Sequence, residues 1–286
     1  MNAEFWIIIT AVLLSIPCAV LGSFLVLRRS VMVADAISHA VLPGIVIAYV
    51  MSSEVDTFTV FAGASIFGII TTFLIELLSR KINLQQDASI GVVFTFLFSL
   101  GLVLISVLDL QTELEPDHIL FGEILNVPFN VLYINNTYLG PKAIWVLGIL
   151  NIIILSTTFI CYKKLMHTSF DSAFMGIIGT SVMLWHYILM SMVSITTIGA
   201  FDIVGAILVI ALLALPATTA YLWTNYLKSM IGISILIGIG GSIGGYYFSK
   251  LLNTSTSGSI VLILFFFFLS SVIITNLKKR PERISN

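Results

Sequence analysis

Long apolar runs, separated by charged or turn residues, dominate this sequence of 286 residues. Each run approaches or exceeds the roughly 20 apolar residues that a helix needs to cross a bilayer. Nine such segments lie near 5–27, 31–50, 57–79, 88–108, 141–162, 178–198, 203–223, 229–249 and 258–277. We therefore predict an all-α polytopic membrane protein, a bundle of eight or nine transmembrane helices. The lower number applies if one segment is re-entrant or peripheral.

The composition leaves little room for soluble mass. Hydrophobic residues make up 58% of the chain and charged residues 9%, and the mean hydropathy is +1.10, whereas about a quarter of the residues in a soluble domain are charged. These values exclude a soluble enzyme. The net charge of −1 leaves no basic surface for nucleic acid, and neither Cys18 nor Cys161 belongs to a disulfide framework.

Basic residues fall in alternate loops, which predicts the orientation of the chain. Short loops rich in Lys and Arg stay cytoplasmic, and this rule assigns 11 of the 13 basic residues to the cytoplasmic side, leaving Lys142 and Lys250 outside. The C-terminus is then cytoplasmic. Most acidic residues map to the outer side, and five of them lie with His118 in residues 109–123. The outer acidic segment, 109–139, is either a solvated loop or a site of cation capture.

Asp35 and His39 are the outstanding ionisable pair within the apolar segments. A charge near the bilayer centre costs about 3 kcal/mol, so such residues are candidates for function. Four residues apart in ADAISHAVLPG (34–44), they project from one helical face, where a carboxylate oxygen and an imidazole nitrogen can converge on one ion. This donor set suits Mn²⁺, Fe²⁺ or Zn²⁺. The alternative is an ion pair that only stabilises the bundle.

The neighbours of this pair also suit a transport site. Ser38 adds a hydroxyl beside it, and Pro43 and Gly44 free backbone carbonyls just beyond it. Two protein ligands are fewer than a closed structural zinc site uses, as expected where the ion must leave.

Other ionisable residues in the apolar segments are weaker candidates. We expect Glu76 to pair with Arg80, and His186 to be a hydrogen-bonded packing residue rather than a ligand. Asp202 either faces the ion pathway or caps its helix. Asp87 is predicted to be the N-cap of the fourth span.

The stretch between Tyr162 and Gly179 has a distinct pattern. Ser169 and Asp171 precede a short apolar run, and a Ser or Asp at that place indicates a helix N-cap and a short surface helix. Such a helix is either a connector or a surface that docks a partner.

Two motifs of enzymes that could be embedded in such a chain are absent from the sequence. Neither HExxH nor GxxxxGK[ST] occurs. The chain therefore lacks a P-loop of its own, and transport driven by ATP would require a separate subunit that hydrolyses it.

Four stretches together resemble the integral membrane subunit of ABC-type manganese/zinc/iron importers. They are GSFLVLRRSVMVADAISHAVLPGI (22–45), DHILFGEIL (117–125), SFDSAFMGIIG (169–179) and VGAILVIALLALPATTA (204–220). They follow the family order over nearly the whole chain, and SHAVLPG is the most specific.

The resemblance implies a single transmembrane permease domain over 1–286 that pairs with a copy or a paralogue. It implies two cytoplasmic ATP-binding subunits and an extracytoplasmic metal-binding protein as partners. Asp35 and His39 match the family positions proposed to coordinate metal. Asp202 departs from the family pattern, where a less acidic residue is expected, and is a candidate third ligand. The segment 169–177 matches the family's coupling helix, with contacts to the ATPase expected from Phe170, Asp171 and Ala173.

We therefore expect a bacterial cytoplasmic-membrane permease that moves Mn²⁺, Zn²⁺ or Fe²⁺ inward, is not itself an enzyme and has no covalently bound cofactor. The alternative from another class is a self-sufficient secondary transporter or channel, with Asp35, His39 and Asp202 as a proton-coupled path.

Overall fold

The computed structural model describes residues 3–52, 57–108, 124–134 and 137–279. Helices make up most of this part of the chain. The elements are α1 (Ala3–Leu27), α2 (Val31–Ala40), α3 (Leu42–Ser52), α4 (Thr57–Lys81), α5 (Gln86–Val107), a 3₁₀-helix (Ile124–Phe129), β1 (Val131–Ile134), β2 (Thr137–Pro141), α6 (Lys142–Phe170), α7 (Ser172–Ile177), α8 (Val182–Val204), α9 (Ala206–Tyr221), α10 (Leu227–Leu252) and α11 (Thr256–Lys279).

Eight helical segments of the described chain are long and apolar enough to cross a membrane. One of them, Val31–Met51, joins α2 and α3. α9 has only 16 residues and is about 24 Å long, shorter than the roughly 30 Å hydrocarbon core. Gly205, with φ of 82°, separates α9 from α8 in a backbone conformation that favours glycine. The prediction of an all-α polytopic bundle with eight or nine spans is confirmed.

The chain folds into two compact units. The first unit contains Met1–Arg29, Glu123–Met166 and Ile207–Asn286, and the second contains Ser30–Gly122 and His167–Ala206. The first unit therefore contains α1, residues 142–166 of α6, all of α9 except Ala206, and the whole of α10 and α11. The helices α2 to α5, α7 and α8 belong to the second unit.

Small residues bring the helices of the first unit together. α10 packs against α1 and α11, and its glycines mark the close approaches. A Cβ at Gly238 would lie 3.2 Å from Cβ of Ser15, and a Cβ at Gly245 would overlap the backbone of Ile260. Close backbone approach at small residues is a main source of helix association in lipid.

Polar side chains add hydrogen bonds between these helices. Nδ2 of Asn151 in α6 donates to the Leu13 carbonyl of α1 at 2.7 Å. The hydroxyls of Ser23 and Ser234 lie 3.3 Å apart between α1 and α10. Such bonds satisfy polar groups that lipid would leave unpaired.

A short hairpin in the first unit was not predicted from the sequence. β1 and β2 pair antiparallel with Ile134 opposite Thr137, and the 3₁₀-helix packs against α1. Gly140 lies beside the Trp6 ring of α1. The signal that could have identified it is the run of β-branched and aromatic residues on both sides of Asn135 and Asn136.

In the second unit the first span is divided into two helices. α2 ends at Ala40 and α3 begins at Leu42, with Val41 between them. Pro43 has no N–H, so the carbonyl of His39, four residues earlier, loses the donor that a continuous helix would supply.

α4 lies at the centre of the packing in the second unit. A Cβ at Gly44 of α3 would lie 2.6 Å from the Gly63 carbonyl oxygen of α4. A Cβ at Gly68 would overlap the Ser194 hydroxyl of α8 and lie 3.3 Å from Cγ2 of Ile37 in α2. Glycine at these positions therefore permits the helix crossings.

Several helix boundaries differ from the sequence prediction. α5 begins at Gln86 after Gln85 as N-cap, so the assignment of Asp87 as N-cap is wrong, and Asp87 lies in the first turn. α6 runs to Phe170, beyond the apolar segment that ends near residue 162. The short helix α7 then begins at Ser172 rather than 169.

Candidate functional site

Asp35 and His39 lie one turn apart on α2. Oδ1 of Asp35 is 3.6 Å from Nε2 of His39, and the two side chains are 40% and 29% exposed. α2 packs against α4, α5 and α8, and Ile37 between the two residues is fully buried. The pair therefore lies at the partly open edge of a helix whose other face is fixed by the core.

Two aromatic rings of α5 contact the imidazole of His39. The ring centroids of Phe94 and Phe98 lie 5.4 Å and 6.2 Å from that of His39, both edge to face. Phe94 and Phe98 stack on each other at 5.9 Å. Aromatic contacts of this kind restrict the orientation of the imidazole. These rings could not be identified from the sequence, because nothing in the local pattern of α5 shows which helix it contacts.

The Ser38 hydroxyl serves the backbone of the helix. It is fully buried and donates to the Ala34 carbonyl at 3.0 Å. The Ser38 hydroxyl is therefore not free to bind an ion beside the pair. The backbone carbonyl of His39 is a better candidate, because Pro43 lacks the N–H that would donate to it in a continuous helix.

The spacing of the pair suits one metal ion. When an ion binds two ligand atoms at about 2.1 Å and at a tetrahedral angle, the two atoms lie about 3.4 Å apart. The distance between Oδ1 of Asp35 and Nε2 of His39 is 3.6 Å, close to this value. Among the side chains that the structure describes, no group of three or more His, Cys, Asp or Glu residues could hold an ion. Asp202 lies in the last turn of α8, which packs against α2, but its side chain is not among those described.

Part of the outer acidic segment lies outside the described residues. Residues 109–123, with His118, and residues 135–136 belong to that part, and most of the other residues lie in the 3₁₀-helix, β1 and β2. A role for this segment in cation capture stays a prediction.

The candidate coupling helix α7 is capped at both ends. A carboxylate oxygen of Asp171 accepts a hydrogen bond from the Phe174 N–H at 2.9 Å, so Asp171 rather than Ser169 is the N-cap. At the other end the Thr180 N–H donates to the Met175 carbonyl at 3.0 Å, and Gly179 has φ of 83°. This left-handed glycine and its long backbone bond form a Schellman C-cap.

α7 exposes its apolar side chains. None of its residues is buried against the described chain. Phe174 is 56% exposed and Ile177 86%. Phe170, the last residue of α6, is 58% exposed, and Asp171 and Ala173 are exposed as well. A rigid helix with uncovered apolar side chains is suited to docking a partner.

A second charged cluster joins α4 to α8. Glu76 pairs with Arg80, one turn along α4, as predicted from the sequence. Oε2 of Glu76 also lies 3.2 Å from Nε2 of His186 in α8. Local spacing predicts the first contact, whereas the second joins residues far apart in the sequence.

Similarity to known proteins extends over most of the chain. Residues 2–275 match the ABC 3 transport family. The chain is 44% identical over 256 residues to the manganese transport system membrane protein MntD of Bacillus subtilis, covering 88% of this chain and 85% of that protein. It is 36% identical over 243 residues to the zinc transport system membrane protein TroD of Treponema pallidum, covering 85% and 66%.

A solved structure agrees with the fold. PsaBC from Streptococcus pneumoniae, determined in complex with Fab, superimposes with a TM-score of 0.77 at 32% identity, covering 95% of this chain and 91% of that chain. The family match, the relatives and the eight apolar helical segments lead to one conclusion: the chain is a multi-pass membrane protein and belongs to the ABC 3 transport family.

Proposed function

We propose that this chain is the permease subunit of an ATP-driven importer of a divalent transition metal in the bacterial cytoplasmic membrane, with manganese or zinc as cargo. The observation that supports the cargo most directly is the Asp35–His39 pair, whose spacing suits one ion. The carboxylate and the imidazole together suit Mn²⁺ and Zn²⁺. The named functions of the relatives, manganese and zinc transport, agree with this donor set.

The two ligands hold the ion transiently in this proposal. Both side chains are partly exposed, and water and the His39 carbonyl, which lacks its helical donor, would complete the coordination shell. A role for Asp202 as a third ligand stays a prediction from the sequence. An ion held by few protein ligands exchanges readily, which suits a site that must load and release. Capture at low concentration then falls to an extracytoplasmic metal-binding protein.

ATP hydrolysis takes place in a separate subunit that docks on α7. The support is the exposed apolar surface of this helix together with its caps. The distribution of Lys and Arg predicts a cytoplasmic C-terminus, and Lys163 and Lys164 near the end of α6 predict by the same rule that α7 is cytoplasmic. A second permease subunit, identical or paralogous, completes the membrane pair. Residues 1–286 act as a single permease domain within it.

Metal uptake by the complete system tests the site. We expect Asp35→Asn and His39→Gln each to lower uptake of Mn²⁺ or Zn²⁺ by at least about tenfold, as loss of metal-site partners does. The matched control is Asp87→Asn, which removes an exposed carboxylate from the first turn of α5 and should leave uptake unchanged. Normal uptake in both site variants would disprove the assignment.

Omission of the ATPase tests the class of transporter. We expect no metal uptake by the reconstituted chain alone and ATP-dependent uptake once the ATP-binding subunit is added. Phe174→Ala should lower binding of that subunit by about tenfold, the loss typical of a central apolar contact, without changing the thermal stability of the chain. Uptake by the chain alone would instead indicate a secondary transporter or channel.

A further inference from the structure

The short connection between α7 and α8 has a defined conformation. Only residues 178–181 separate the two helices. The Thr180 N–H donates to the Met175 carbonyl, and the Leu184 N–H donates to Oγ of Ser181 at 3.4 Å. Because both helices are capped within these residues, a displacement of α7 is passed to the first turns of α8 rather than absorbed in a loop.

His186 lies in the second turn of α8 and is held by α4. Its Nε2 lies 3.2 Å from Oε2 of Glu76, and the two side chains are 16% and 12% exposed. Oε1 of the same carboxylate contacts Nε of Arg80. Because Arg80 orients the carboxylate, Oε2 is a fixed acceptor for His186, and its low exposure limits competition from water.

This cluster is unsuited to the cargo itself. The guanidinium of Arg80 contacts the carboxylate and would repel a dication. In the described part of the chain, no third His, Cys, Asp or Glu joins Glu76 and His186 to form a metal site. The contact therefore joins helices rather than binding an ion.

α4 extends from this contact to the helix that carries the metal-site residues. Gly68 lies eight residues before Glu76, about 12 Å along α4, and packs against Ile37. Ile37 lies between Asp35 and His39 in α2. α8 itself packs against both α4 and α2, so the three helices are in mutual contact.

We infer that His186 is a positioning residue, which through Glu76 makes the start of α8 and α4 move as one body and so transmits displacements of α7 to α2. The identity of the cargo and of the partner on α7 rests on the proposed function. The link between His186, Glu76 and α2 is a property of this chain alone.

Two measurements on the full chain in lipid nanodiscs test the inference, with and without its ATP-binding subunit. The first is amide hydrogen exchange. His186→Leu should speed exchange in α4 near Glu76 and in α2, by about fivefold, within the range by which single residues change coupling between sites. The second is the amount of Mn²⁺ or Zn²⁺ moved per ATP hydrolysed, which should fall by about the same factor while basal ATP hydrolysis continues.

Rescue and control variants separate positioning from general stability. His186→Gln keeps an amide donor and should retain most of the wild-type ratio of metal to ATP. Lys250→Met removes another ion pair between helices, the 2.6 Å contact of Lys250 with Glu4 in the first unit, and should alter neither α2 exchange nor the ratio. Glu76→Gln weakens the same contact from the α4 side, and it should speed exchange and lower the ratio of metal to ATP as His186→Leu does. It therefore still tests the link if the leucine variant fails to fold.

The outcomes distinguish this inference from the proposed function. Unchanged α2 and α4 exchange in both His186→Leu and Glu76→Gln would overturn the link, whatever the chain transports. The inference would also be overturned if the ratio of metal to ATP fell equally in His186→Gln, His186→Leu and Lys250→Met. His186 would then act only through the stability of the chain. A wild-type complex that moves neither metal would overturn the proposed function, while hydrogen exchange still decides the link.

Discussion

Gly68 of α4 lies so close to Ser194 of α8 that a methyl group at residue 68 would overlap the Ser194 hydroxyl oxygen. The same methyl group would approach Ile37 of α2. One glycine thus sets the separation of three helices in the second unit, and two of these helices carry Asp35, His39 and His186.

Substitution of this glycine should disturb the packing of the second unit. We expect Gly68→Ala to destabilise the chain by about 1–3 kcal/mol, the usual effect of overpacking, as measured by thermal unfolding in detergent. Ser194→Gly in the same chain should restore most of the loss by removing the overlapping side chain. The control is Gly91→Ala in α5, where an added Cβ meets nothing within 4 Å in the described part of the chain. Equal destabilisation at both glycines would contradict the explanation.

The ring of Phe94 should affect metal affinity through the orientation of His39. We expect Phe94→Leu to raise the metal concentration for half-maximal transport about threefold, because aromatic edge-to-face contacts contribute about 0.5–1.5 kcal/mol. Maximal transport should change less. Phe96→Leu is the matched control, since Phe96 lies on the same helix and is 60% exposed. The same shift in both variants would mean that ring loss acts on α5 in general.

The balance of oxygen and nitrogen ligands should determine which metal is preferred. His39→Asp creates an all-oxygen pair and should shift competition between Mn²⁺ and Zn²⁺ towards Mn²⁺, whereas Asp35→His creates two imidazoles one turn apart and should shift it towards Zn²⁺. We expect opposite changes of about tenfold in the ratio of the two uptake rates. A shift in the same direction for both variants would indicate that other residues select the metal.

The N-cap of α7 should contribute to docking of the ATP-binding subunit. Asp171→Ala removes the acceptor for the Phe174 N–H and should cost about 1 kcal/mol of helix stability, which weakens partner binding by about fivefold. Asp171→Ser keeps a capping oxygen and should bind nearly as well as the wild type. Co-purification or a binding titration measures both, and loss in the serine variant would point to a direct role for the carboxylate charge.

The sequence predicts features of the fold that depend on local composition. Apolar length alone identifies the spans, and spacing of four residues predicts the Asp35–His39 and Glu76–Arg80 contacts. Helix ends are harder, because hydropathy measures the length of an apolar run and not of the helix. α6 accordingly continues through Lys163 and Lys164 to Phe170.

Contacts between distant segments are beyond such reasoning. Phe94 approaches His39, and His186 approaches Glu76, only because α5, α8 and α4 take particular places in the second unit. Nothing in the pattern along a single membrane helix tells which neighbour each face will meet, because lipid and protein interior are similarly apolar. The family resemblance supplies candidate roles for Asp35 and His39, but not the aromatic rings beside them.

The division at Val41 of the span formed by α2 and α3 has a mechanical consequence. Each half keeps its own internal ladder of backbone bonds, so the angle between the halves can alter without melting either one. Pro43 has no amide proton to donate to the His39 carbonyl, so bending at this point breaks no backbone hydrogen bond to that carbonyl, and His39 is a proposed metal ligand. A rotation of α2 relative to α3 would therefore move the His39 imidazole and the His39 carbonyl together. In the proposed metal site, one such rotation would change the distances of both groups from the ion.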